Sequence, residues 1–306
     1  MINKITIVGA GNVGATTAFL ILSRKLCRTL AVVDVQKDLA KGVALDLEDS
    51  RFVFGADIKI EASADLSAVA GSDIVIITAG RPRSPGMSRQ DLIKINSSIV
   101  RHVCTALKRK AKKAIVIVVS NPLDITTYVA FRTTGFPRRQ IIGMGSSLDS
   151  ARLANLLSKK ILVSIEDIDP AVFGAHGKDM LASRMTTVKG FALGSFLSSA
   201  DFAKIKKATV ERGATIVGLL KKGSARFAPA AACLDLIEAI DQDKKRLTFA
   251  AVYCKGEYGL KGICLGLPVI VGSRGVEKIV RLSLSAPERA VLKKAAKAVK
   301  KSISQL

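Results

Sequence analysis

Six residues near the N-terminus, Gly9-Ala10-Gly11-Asn12-Val13-Gly14, constrain this chain more than any other stretch. They follow an apolar run at 4–8 and open the helical pattern Asn12–Ser23. A G-x-G-x-x-G in that context joins a buried strand to a helix around a phosphate. Gly9 makes the tight turn, Gly11 lets a pyrophosphate approach the backbone, and Gly14 lets the helix pack close to the strand. Unpaired amides of Asn12, Val13 and Gly14 at the helix start then face the anion. Asp34 ends the next strand, 20 positions beyond Gly14. A carboxylate there accepts ribose hydroxyls and repels a 2′-phosphate, which favours NAD over NADP. The motif alone leaves FAD and other nucleotides open.

The rest of the first half fits a doubly wound sheet. Continuous Ile/Val-rich runs at 30–34, 73–78 and 114–119 alternate with helical stretches at 37–49 and 88–110. That alternation implies right-handed βαβ units and a parallel sheet buried on both faces. A run at 141–144 reads as its last strand. The pattern then changes: helices are expected at 148–159, 201–220, 229–240 and 287–303, and strands at 167–173, 185–191, 246–253 and 262–271, with a turn at 256–259. The expected fold class is α/β: a Rossmann doubly wound parallel sheet, then an α+β substrate-binding and catalytic domain. The chain of 306 residues is long enough for two cores, a dinucleotide-binding domain at 1–144 and a second domain at 145–306.

Composition excludes several classes. No apolar run reaches the roughly 18 residues of a spanning helix, and no export signal opens the chain, so a soluble cytoplasmic protein without membrane contacts is expected. The five cysteines, Cys27, Cys104, Cys233, Cys254 and Cys264, are odd in number and widely spaced, and only two histidines occur. Reduced thiols are expected and a metal site is not. Lys and Arg total 48 against 25 Asp and Glu, a formal net charge of +23. The basic residues are scattered, with Lys-rich clusters at 106–113 and 293–301, and few aromatics are available to stack bases. A solvated basic surface that steers anionic substrates inward is favoured over nucleic-acid binding.

Five further segments succeed one another: Thr78-Ala79-Gly80-Arg81-Pro82-Arg83-Ser84-Pro85-Gly86-Met87-Ser88-Arg89-Gln90-Asp91-Leu92, Val119-Ser120-Asn121-Pro122, Leu148-Asp149-Ser150-Ala151-Arg152, Gly174-Ala175-His176-Gly177 and Gly256-Glu257-Tyr258-Gly259. In this order they resemble the lactate/malate dehydrogenase family nearly from end to end. The resemblance implies hydride transfer between NAD and a small 2-hydroxy acid, with the dicarboxylate pair (S)-malate and oxaloacetate expected as substrates. It also implies a place in the tricarboxylic acid cycle and a homo-oligomer, dimer or tetramer. Oxidising a 2-hydroxy acid removes a hydride from carbon and a proton from oxygen, and the proton needs a base that can return it. Histidine suits that task. His102 lies inside a predicted helix without a polar frame, whereas His176 sits between glycines at a strand end. The resemblance makes His176 the proton acceptor and donor and Asp149 the partner that fixes its tautomer. Arg152, three residues on and on the same helical face, is implied to grip the substrate C1 carboxylate.

The resemblance makes 81–91 a loop that closes on substrate, with Arg89 polarising the carbonyl. Counting back from Gly86 and Arg89 puts Arg83 where lactate-type members carry Gln. A second arginine there matches the distal carboxylate of oxaloacetate and is costly to leave unpaired over a methyl group. Arg81 reads as a solvated charge. Asn121 is implied beside the nicotinamide and the substrate oxygen, Asn96 and Val119 at the cofactor, and Gly223-Ser224-Ala225 along the substrate pocket, with Ala225 where lactate-type members have Thr. Two positions depart from the family pattern: Lys178 stands where Asp usually follows the Gly-x-His-Gly frame, and Arg226 where an aromatic residue is common. A lactate or other 2-hydroxy-acid dehydrogenase is the alternative within the enzyme class. A nucleic-acid-binding protein on a retired dehydrogenase scaffold is the alternative outside it, against which the intact set Arg83, Arg89, Asp149, Arg152 and His176 argues.

Overall fold

The computed structural model describes residues 2–82, 86–221 and 223–306. Its first half contains β1 (Ile2–Val8), α1 (Asn12–Ser23), β2 (Cys27–Val33), α2 (Lys37–Phe54), β3 (Lys59–Ser63), β4 (Ile74–Ile77), α3 (Arg89–Lys110), β5 (Ile115–Val118), α4 (Leu123–Thr134) and β6 (Ile141–Gly143). The six strands lie in the order β3-β2-β1-β4-β5-β6, all parallel. Every residue of β4 and β5 is buried, as expected of strands covered on both faces. The two-residue period divides them. Ile5, Ile7, Ile74, Ile76 and Ile117 join one core with α1 and α2, while Val8, Val75, Ile77, Val116 and Val118 join another with α3 and α4. Strand order reverses between β1 and β4, and a crevice opens there at the carboxyl ends, where such sheets bind ligands.

The second half contains α5 (Ser146–Ile161), β7 (Ile168–Asp169), β8 (Val172–Gly174), β9 (Met180–Ala182), β10 (Thr187–Val188), β11 (Phe191–Ala192), α6 (Ser199–Leu220), α7 (Phe227–Asp241), β12 (Arg246–Lys255), β13 (Lys261–Gly272), β14 (Gly275–Ile279) and α8 (Ala286–Ile303). β12 continues the first sheet by pairing antiparallel with β6, and β13, β8, β9 and β14 extend it to eleven strands. Both junctions use small residues: Gly143 faces Ala251, and Gly174 faces Gly266. The glycines let helices press onto the sheet. A Cβ on Gly143 would fall 2.4 Å from Thr127 Oγ1 of α4, and one on Gly266 would fall 1.9 Å from Ser146 Oγ of α5.

Several elements depart from the expected pattern, among them the short strands β9 and β14, which lie where no strand was expected. α4 occupies a stretch where no helix was expected, because its β-branched run Ile125-Thr126-Thr127 and Val129 carries a strand-like propensity. Burial on several sides overrides it, and Thr127 and Thr134 turn their hydroxyls back to the carbonyls of Leu123 and Ala130 at 2.8 Å. β3 is a short, charged edge strand with little apolar signal. The strand expected at 185–191 is instead a tight hairpin of β10 and β11. Lys189 and Gly190 at its tip both adopt positive φ, as a two-residue turn demands. The run at 167–173 breaks at Pro170 into β7 and β8, which belong to different sheets.

All five cysteines are buried and free. Burial pushes the thiols of Cys27, Cys104, Cys233 and Cys254 up to about 12. No helix among the described residues is long and apolar enough to cross a membrane. The basic helix α8 is fastened by Glu288. This carboxylate accepts from Ser285 N at 2.9 Å and Oγ at 2.7 Å in a capping box, and from Ser183 Oγ at 2.7 Å. Burial works against the charge, but these bonds outweigh it and hold the carboxyl down to about 2. A depressed carboxyl adds stability above its ordinary pKa and loses it as pH falls toward the folded value. Glu288→Ala is therefore expected to cost roughly 1–2 kcal/mol in urea unfolding at pH 7, with the gap to wild type closing as pH falls below the usual carboxylate range.

Candidate active site

The crevice at the carboxyl ends of β1, β2 and β4 is a cleft of about 1230 Å³, lined among others by Gly9, Gly11, Asp34, Gln36, Gly80 and Ile99. The three glycines of the opening motif differ in what surrounds them. Gly9 adopts φ 113° and a Cβ on it would meet Ala79 N at 2.5 Å, so it is held to a tight turn against β4. A Cβ on Gly14 would fall 1.8 Å from Gly9 O. Among the described residues nothing lies within 4 Å of a Cβ on Gly11, the N-cap of α1, which leaves space over the helix N-terminus. That space, with the amides of Asn12, Val13 and Gly14 at the first turn, suits a pyrophosphate. Asp34 does more than await a ribose. Its Oδ2 accepts from Ala10 N at 2.8 Å and its Oδ1 from Gln36 N at 2.9 Å, so it also braces the glycine loop. These residues fit a dinucleotide with an unmodified adenosine ribose.

The catalytic candidates come together at one buried carboxylate. Asp149 lies in the first turn of α5 and is 1% exposed. Its Oδ2 stands 2.8 Å from His176 Nδ1, and its Oδ1 accepts from Arg152 Nη1 at 3.2 Å. An aspartate carboxylate only accepts, so Nδ1 carries the proton and Nε2 is the nitrogen left to exchange one with a substrate. Burial alone would lower the imidazole pKa. The Asp149 charge and hydrogen bond, helped by Asp124 and opposed by Arg152, outweigh it, and the net direction is upward. Arg152 keeps donors unspent, since its Nε is buried without a hydrogen-bond partner among the described residues. The guanidinium has room beside α6 because Gly213 carries no side chain there: a Cβ would lie 3.4 Å from Arg152 Nη2.

The other expected residues are placed less tightly. Arg89 is the first residue of α3, exposed, with Ser88 and Asp91 forming the capping box that starts the helix. No hydrogen bond or ion pair joins it to His176 among the described residues. Arg83 lies outside the described residues. Asn121 follows β5 with its side chain exposed. Asn96, buried on α3, spends its amide on backbone: Oδ1 accepts from Arg81 N at 2.8 Å, and Nδ2 donates to Arg81 O at 3.1 Å and Asn121 O at 2.6 Å. It thus ties the start of the loop to the strand end that carries Asn121. Val119 has its side chain in the core. A Cβ on Gly223 would lie 3.2 Å from Asn12 Nδ2, which brings the 223–225 segment over the start of α1. Lys178 is exposed, and Arg226 stacks on the Phe227 ring at 4.8 Å.

Sequence reasoning missed two neighbours of His176. Gly145, the N-cap of α5, lets the imidazole approach, since a Cβ would fall 3.2 Å from His176 Cβ and 2.1 Å from Leu123 Cδ2. Asp124, in the first turn of α4, accepts the His176 backbone N–H at 3.0 Å. Its only signal was proximity to Asn121-Pro122, and a first-turn acid is by default a helix-dipole residue.

Known proteins resemble this chain along its whole length. Residues 3–143 match the family description "lactate/malate dehydrogenase, NAD binding domain", and residues 146–306 match "lactate/malate dehydrogenase, alpha/beta C-terminal domain". A malate dehydrogenase of Roseiflexus sp. (strain RS-1) is 42% identical over 304 residues, covering 99% of this chain and 98% of that protein. The malate dehydrogenase structure from Aeropyrum pernix superposes with a TM-score of 0.95 at 37% identity, covering 99% of this chain and 98% of that one. The lactate dehydrogenase from Cryptosporidium parvum, solved with lactic acid and β-nicotinamide adenine dinucleotide, also gives 0.95, at 31% identity, with coverage of 99% and 98%.

The glycine geometry separates two effects. Gly11→Ala is expected to leave the melting temperature within about 2 °C of wild type, because its Cβ meets nothing in the free protein, yet to weaken NADH binding at least about tenfold. Gly14→Ala is expected to lower both. NADH fluorescence titration and thermal unfolding check the pair.

Proposed function

Because the chain belongs to the lactate/malate dehydrogenase family, whose members are NAD-linked hydroxy-acid dehydrogenases, we propose that it interconverts (S)-malate and oxaloacetate, with His176 as proton acceptor and donor. The observation that carries this reading is the shared carboxylate of Asp149, 2.8 Å from the His176 ring and 3.2 Å from Arg152. Bound NAD supplies the acceptor and donor of hydride. The protein supplies the rest. In oxidation His176 Nε2 takes the hydroxyl proton, and Asp149 holds the ring in the required tautomer and offsets the imidazolium charge. Arg152 binds the C1 carboxylate through the donors that Asp149 leaves free. Arg89, at the loop end of α3, polarises the substrate carbonyl, and Asn121 orients it. Arg83 takes the distal carboxylate and confers the preference for a diacid over lactate.

Relatives named malate dehydrogenase at 40–42% identity support the dicarboxylate. The equal superposition with a lactate dehydrogenase leaves the choice to side chains rather than to the fold. A homo-oligomer, dimer or tetramer, would cover Phe52 and Val53 of α2, which are 94% and 79% exposed. Sedimentation velocity measures it: a monomer at micromolar concentration would refute that assembly.

Oxaloacetate and pyruvate offered in parallel with NADH test the substrate. Oxaloacetate is expected to be consumed much faster, and Arg83→Gln to narrow that preference by roughly 100-fold or more. Unchanged preference in Arg83→Gln would refute the specificity argument. His176→Asn should lower kcat by about 100- to 10,000-fold. The raised His176 pKa fixes the sign of the pH dependence. Reduction needs the imidazolium, so its kcat/KM should decline as pH rises through a value above the ordinary imidazole figure of about 6.5. Malate oxidation should decline as pH falls through the same value.

A further inference from the structure

Asp124 is a buried carboxylate that the reaction above leaves without a task. It is 5% exposed, in the first turn of α4, and its Oδ2 accepts the His176 backbone N–H at 3.0 Å. Its Oδ1 is buried with no hydrogen-bond partner among the described residues. Among the described residues no Lys or Arg forms an ion pair with it. The titratable groups that face it are His176 and, from α5, Asp149, together with the thiols of Cys254 on β12 and Cys264 on β13. Arg152 faces the same ring from α5.

A half-satisfied buried carboxylate is poor structural material. An asparagine of the same shape would accept the same N–H without a charge to desolvate. What aspartate adds over asparagine is negative charge, and here that charge lies behind a ring already approached by a carboxylate from a second helix.

We propose that Asp124 is a positioning residue of the His176 centre: it fixes the His176 backbone and, as a second carboxylate, stabilises the imidazolium. The proposal rests on the proton role given to His176 above. Burial pushes the Asp124 carboxyl up to about 7, against the pull of His176, while the two carboxylates draw the imidazole upward against its own burial. Each group favours the charged form of the other, and the site can therefore hold a proton on His176 without being left with uncompensated positive charge beside Arg152.

The chain has only two histidines, His102 and His176, so the His176 ring can be titrated by NMR without substrate or turnover. In Asp124→Asn its pKa is expected to fall by roughly half a pH unit or more, with His102 unchanged and the melting temperature not lowered. The pH limb of oxaloacetate reduction should move to lower pH by the same amount. An unchanged His176 titration in the folded variant overturns the proposal. Loss of the malate reading would show instead as absent oxaloacetate turnover, with the ring titration still readable. Wild-type protein labelled with 13C-aspartate gives a check that needs no variant. One aspartate carboxyl should titrate near pH 7, and the absence of any titrating above about pH 5 would overturn the proposal.

Discussion

One carboxylate holds the working side chains in register. Asp149 divides its two oxygens between an imidazole and a guanidinium while lying almost wholly out of water. Removing a carboxylate from water costs several kcal/mol unless partners offset it. Two polar partners and a place in the first turn of α5 do so here. The arrangement also sets geometry. Arg152 is three residues from Asp149, so the same helix face presents both, while His176 arrives from the end of β8. The imidazole and the guanidinium are thus fixed relative to each other by one carboxylate.

That fixity depends on close helix–sheet contact. α4 and α5 both start just beyond the carboxyl ends of β5 and β6, and both lie where a glycine of the sheet gives way: Gly143 under Thr127, Gly266 under Ser146. The first of these junctions turns a parallel sheet into an antiparallel one, and the second extends the antiparallel part. The residues that would bind a dinucleotide and those that would handle a proton consequently sit on one continuous sheet. Asn96 and Gly223 add side connections, one from α3 to the Asn121 carbonyl and one from the 223–225 segment to Asn12.

Much of this was legible in the sequence, and the exceptions have physical causes. The glycine motif, Asp34 and the Ile/Val runs of β4 and β5 announce the first half because local pattern and tertiary role coincide there. α4 did not announce itself, since its threonines and β-branched residues favour helix only once buried and back-bonded to their own carbonyls. His176, Asp149 and Arg152 could be named from their frames, yet neither the sharing of one carboxylate nor the strain-free space at Gly145 and Gly213 has a local sequence signature. That the amide of Asn96 ties the backbone of Arg81 to that of Asn121 has no local signature either. Asp124 looked like an ordinary helix-start acid; only the return of the chain 52 residues later puts it beneath His176.

The buried cysteines carry a separate consequence. A thiol attacks only as thiolate and only where a reagent can reach it, and here burial denies both. The redox state of the surroundings therefore has little purchase on the cysteines of the native molecule. Oxidants and alkylating agents meet these sulfurs only after the core has opened, so the modified fraction records how often molecules have visited the unfolded state. The cysteines act less as chemistry than as a ledger of unfolding written into the core.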